Sequence, residues 1–87
     1  MSANLHRSWR AEQCLDLHRS MTGDDDAATA VTDLVADIGH FCVEHDLTYL
    51  WLLAQGISHW RLEMTDPESL EPLPVVTINI QESKDNA

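Results

Sequence analysis

Four side chains able to hold a metal or move a proton lie in the stretch TDLVADIGHFCVEHD. Asp33, Asp37, His40 and Glu44 are spaced four, three and four residues apart, which stacks them on one face of a helix. Carboxylate and imidazole groups at that spacing bind a divalent ion inside a bundle when a facing helix supplies further ligands. His59 and Glu63, also four apart, are the residues a facing helix would bring. The competing reading is a wetted helix face. The stripe lies opposite Val31, Leu34, Val35, Ile38, Phe41 and Cys42, whereas a metal-binding bundle turns its ligands into the core. The stripe is therefore read as solvated, with no metal and no other cofactor. Asp33, Asp37, His40, Glu44, His59 and Glu63 remain the candidate ligands if the helices converge.

The cysteines and remaining histidines point to no other centre. Cys14 and His18 are four apart, and His40, Cys42 and His45 cluster later, but there is no CxxC and no finger spacing. Zinc needs four converging N or S ligands, and His40 and Cys42 face opposite sides of one helix. Cys42 reads as a small core hydrophobe. His45 continues the apolar face and reads as structural, with the helix dipole favouring its charged form and burial its neutral form. Thiolate chemistry needs an electropositive setting, and only histidine is basic near Cys42. No glycine-rich phosphate loop, HExxH or GxSxG is present.

The elements that position these residues form one domain, 1–87. Residues 4–20 read as a helix without a clean apolar face, with Ala11, Cys14, Leu15 and His18 on one side and Trp9 well away. Gly23 in MTGDDD breaks it, and Asp24 is the expected cap of the next helix. From 25 to 45 the apolar residues recur every three or four positions, the strongest helical period in the chain. After HDLTY, Thr48 is a plausible cap for a helix over 49–64, with Leu47 stapling onto Leu52. So short a connection makes the two helices antiparallel neighbours. Tyr49, Leu53, Ile57, Trp60 and Met64 then form one face, interrupted by Gly56. Trp51 and Leu62 lie on another side, which the N-terminal helix, the C-terminal segment or a second subunit must cover. After the proline-rich TDPESLEPLP, residues 75–81 alternate β-branched with other residues and read as a strand. The tail 82–87 reads as disordered. The expected fold is mainly α: an antiparallel helix pair, an N-terminal helix, and one C-terminal β-strand paired across a dimer.

Charge and size narrow the function. The 87 residues carry a formal charge of −10. Arg7, Arg10 and Arg19 sit in the first quarter, while the rest has only Arg61 and Lys84 against most of the acids. An acidic body disfavours nucleic acid and anionic membranes as partners. The start MSANLHRSWRAEQ lacks a secretory apolar core, and the longest apolar run, YLWLLA, falls far short of the ~20 residues that span a bilayer. With Cys14 and Cys42 read as reduced thiols, a cytoplasmic location is expected. A chain this size buries only roughly 60–65% of its unfolded surface, so self-association would help it. Trp51, Leu62, Val76, Ile78 and Ile80 are the expected interface.

The segment Thr32–Glu63, through TDLVADIGHF, DLTY and HWRLE, resembles small uncharacterised helical proteins of bacteria, phages and plasmids. The resemblance implies a helical accessory protein and brings no activity with it. The chain departs from that pattern at Asp46, where a glycine is expected, at Thr48, where an acidic cap is expected, and in LWLLAQG, where a more polar helix is expected. The first reading is a small acidic accessory protein that acts through protein–protein contacts, forms a homodimer and catalyses nothing, with a further unidentified protein as a second partner. The alternatives are a metal-dependent enzyme of the all-helical nucleotide pyrophosphatase kind and an acidic DNA mimic. The first of these lacks its paired Glu-x-x-Glu and any basic residues beside the acids.

Overall fold

The caps divide the chain into helices. In a computed structural model that describes residues 2–68 and 72–83, α1 spans Ala3–Thr22, α2 Ala27–Glu44 and α3 Tyr49–Thr65. Ser2 opens α1 by accepting a hydrogen bond from the Leu5 N–H at 3.1 Å, which satisfies one of the free donors of the first turn. Gly23 closes it in the left-handed region at φ 80, its N–H donating to Arg19 O. The cap of α2 is Asp26, two residues beyond the expected Asp24: one carboxylate oxygen accepts from the N–H and the hydroxyl of Thr29, each at 3.0 Å. These bonds favour the charged carboxylate and hold Asp26 below its ordinary pKa, the Thr29 N–H being the largest cause.

The α2–α3 corner is a Schellman turn. Asp46 adopts φ 56, the Leu47 N–H donates to Cys42 O at 2.8 Å and the Asp46 N–H to Val43 O at 3.4 Å. An L side chain in that region is strained, least so for Asn and Asp. Thr48 stands at the start of α3, but its side chain makes no cap bond.

Tyr49, the first residue of α3, locks the corner. Its ring lies on the backbone of α2 at Gly39, and its hydroxyl donates to Val35 O at 2.5 Å. The other end of α3 is tied to the start of α1. The Asn4 side-chain amide donates to Glu63 O at 2.9 Å, Arg7 donates to Pro67 O at 3.2 Å, and Arg7 Nε lies 3.4 Å from Glu63 Oε2. The three helices thus run as an open ring: α1 turns into α2, α2 into α3, and α3 is tied back to α1. Little is enclosed. Ala30, Cys42 and Ala54 are the only buried apolar residues among those described.

The expected strand is not formed. Among the described residues there is no β-strand, and residues 72–83 run without regular structure. A ladder needs a second run of extended backbone to accept and donate its bonds, and the described chain offers none. The segment instead lies across α3, where the hydroxyl of buried Ser58 donates to Pro74 O. The alternation seen in the sequence survives only in part: Val76 and Ile78 are half-buried, while Val75, Thr77, Asn79 and also Ile80 are exposed. Of the expected disordered tail, 84–87 lie outside the described residues.

Candidate functional site

The candidate ligands of the acidic stripe separate into different surroundings. Asp37 Oδ2 is hydrogen-bonded to His18 Nε2 at 2.8 Å, the carboxylate accepting from the ring N–H. The imidazole is buried and the carboxylate largely exposed. Asp33, one turn earlier, lies beside Asp24 of the α1–α2 corner. His40, Glu44 and His59 are exposed, and Glu63 pairs with Arg7 at the far end of the ring. Among the described residues no group of three or more His, Cys, Asp or Glu side chains is placed to hold a metal ion. Among the described residues His18 Nδ1, on the other side of the imidazole, is buried without a hydrogen-bond partner.

The sequence sets His18 with Ala11, Cys14 and Leu15 on one side of the first helix without giving it a partner; the structure pairs it with Asp37. Its signal was positional: it continues the weak Ala11–Cys14–Leu15 side of α1, and a polar residue on a side that packs needs a partner. Of the stripe, Asp37, His40 and Glu44 are exposed and Asp33 is half-buried.

Asp24 and Asp33 are neighbouring carboxyl groups at the α1–α2 corner. Asp24 Oδ2 is buried without a hydrogen-bond donor. A hydrogen bond with Asp24 raises Asp33 above the ordinary carboxylate range, reinforced by partial burial and by the charges of Asp24 and Asp37, with His18 opposing. A protonated Asp33 supplies the donor that Asp24 Oδ2 lacks. A carboxyl with a raised folded pKa favours the fold below its unfolded value, and that contribution is lost as pH rises through the folded value. Asp33→Asn places an amide donor there at every pH. The variant is expected to melt higher than the unmodified chain at pH 7, with the gain shrinking as pH falls through the Asp33 transition. Melting curves across pH 3–8 check this, and a variant that melts lower at pH 7 refutes the pairing.

The second feature is larger and apolar. α2 lays its stripe along the inside of the ring. Toward α1 the wall is Ala11, Cys14 and Leu15, against Val31, Leu34 and Val35. Toward α3 it is Leu53, Gly56, Ile57 and Trp60, against Cys42. Ile38 lines both hollows, which adjoin there along α2 as an apolar groove. Its floor is open: Val31 is 46%, Ile38 44% and Trp60 56% exposed. The antiparallel pair expected to bury these faces closes only at the Tyr49 corner.

On α3, Tyr49, Leu53 and Ile57 of the face expected to meet α2 are half-buried, while Trp60 and Met64 of that face are exposed. The face through Leu53, Ile57 and Trp60, assigned to α2, opens onto the groove. The other side receives the C-terminal segment at Ser58, and Leu62 there is half-buried. Of the expected interface, Trp51 and Ile80 are exposed, and Leu62, Val76 and Ile78 are half-buried. Ala54 and Ser58, small residues one turn apart and both buried, were the overlooked sign of a seat for a passing chain. Cys14 and Cys42 are free thiols, the first exposed and the second buried. Among the described residues no helix is long and apolar enough to cross a membrane. Searched against protein families, curated proteins and solved structures, the chain has no match in any of the three comparisons.

Proposed function

We propose that this chain is a small acidic accessory protein of the cytoplasm, that it acts through protein–protein contacts without catalysis, and that its first partner is a second copy of itself. The supporting observation is the amount of surface left uncovered. The chain exposes 7165 Å², against about 5,200 Å² for a compact monomer of 9.8 kDa. Its radius of gyration is 15.5 Å, against about 12 Å for a compact domain of this length. Part of the excess lies on the extended C-terminal segment and part in the groove. A soluble chain rarely leaves so continuous an apolar surface unoccupied.

The test reads mass and melting together. Light scattering at micromolar concentration is expected to give a dimer whose mass holds from low salt to about 1 M NaCl, where charge contacts are screened within ~3 Å. A monomeric mass throughout overturns self-association. Binding to a basic partner that disappears in salt would favour the DNA mimic instead. Millimolar magnesium or manganese is expected to leave the melting temperature unmoved. A site filled at a hundred times its dissociation constant would add about 2.7 kcal/mol, several degrees in a domain of this size. Such a shift, lost in Asp37→Ala, would return the metal-dependent enzyme to first place.

A further inference from the structure

We infer that the open apolar groove inside the helix ring is the surface on which a second copy of this chain docks, α2 lying antiparallel against α2 of the other copy across a two-fold axis. The inference rests on the self-association proposed above and gives it a place on the molecule.

Three observations support this occupant. The first is charge. A chain of net charge −10 approaches its own copy at least electrostatic cost through a surface without carboxylates. The groove lining has none: Ala11, Cys14 and Leu15 on one wall, Leu53, Ile57 and Trp60 on the other. Asp33, Asp37 and Glu44 lie on other sides of α2. A basic partner would be drawn to those acids and away from the groove.

The second is self-matching. A two-fold interface presents the same patch on both copies. The α2 stripe is a straight row of similar apolar side chains. In an antiparallel pair centred between Val35 and Ile38, these two exposed residues meet each other's counterparts. Gly56 on the wall has nothing within 4 Å of where its Cβ would be, which leaves room for an incoming side chain.

The third is area. Obligate homodimers bury about 2,000–5,000 Å² in total. The chain exposes 7165 Å², about 2,000 Å² more than a compact monomer of its mass, and an interface at the lower bound needs about 1,000 Å² from each copy.

Ile38 is the central test because it floors both halves of the groove. Light scattering of the full chain at about 50 μM is expected to give a dimer for the unmodified protein and for Trp51→Glu, a comparably exposed residue on the other side of α3, and a monomer for Ile38→Glu, with at least a tenfold loss of affinity. Circular dichroism shows whether Ile38→Glu stays helical. If it unfolds, a second variant decides: Val35→Cys/Ile38→Cys with Cys14→Ser/Cys42→Ser is expected to form a covalent dimer under mild oxidation, and Trp51→Cys in the same background is not. A dimer that survives Ile38→Glu and is lost in Trp51→Glu overturns the inference and leaves self-association standing, on the other side of α3. A monomeric unmodified chain overturns both and leaves the groove to a different protein.

Discussion

Gly39→Val is expected to lower the melting temperature by roughly 5–15 °C, the largest effect of any single substitution at the helix corners. A Cβ at position 39 would stand 2.8 Å from Tyr49 Cε2 and 3.1 Å from Cδ2, closer than real Cβ contacts come. The Tyr49 ring has little freedom to yield. It begins α3, and its hydroxyl is held at Val35 O, 2.5 Å away. Overpacking of this kind costs about 1–3 kcal/mol. Better helix propensity than glycine returns only a few tenths, roughly 0.3 kcal/mol. If the ring swings out, the Val35 bond goes with it, and α2 loses its one firm contact with α3. The double variant Gly39→Val/Tyr49→Ala should then be less destabilised than the sum of its single changes, because the clash is absent. Additive effects in that cycle, measured by thermal melting, would mean that the ring does not rest on α2.

The melting temperature of the unmodified chain is expected to climb with protein concentration, by about 4 °C per tenfold. A monomer melts independently of concentration. A dimer that unfolds to two chains gains about 1.4 kcal/mol for each tenfold rise, and at twice this chain length that converts to the figure above. The expectation follows from how little one copy encloses: Ala30, Cys42 and Ala54 are a thin core for three helices. Scanning calorimetry from about 1 to 100 μM spans a shift of roughly 8 °C on the same arithmetic. A flat line over that range would show that the ring, held by the Tyr49 corner and the Arg7–Glu63 tie, is stable alone.

The sequence by itself determined the helices and little of what they touch. The period of Val31, Leu34, Val35, Ile38 and Cys42 placed α2 within two residues at either end, and α3 was expected over 49–64 against an observed Tyr49–Thr65. These features depend on residues three or four positions apart and on caps, so they are local and readable. The alternation in PVVTINI was equally readable, and Val76 and Ile78 do turn inward. Whether it made a strand was not, because a ladder depends on a partner that the segment does not carry. The same limit hid the His18–Asp37 pair, which joins residues 19 apart in sequence. It also hid which side of α3 would be covered. At the corner that joins α2 to α3, Asp46 takes φ 56 and the Tyr49 ring rests on Gly39. A turn of one residue's backbone swings a 17-residue helix from one partner to another, and nothing in the helix's own periodicity records which. Periodicity showed which side chains avoid water; only the tertiary structure decided which of them remain uncovered.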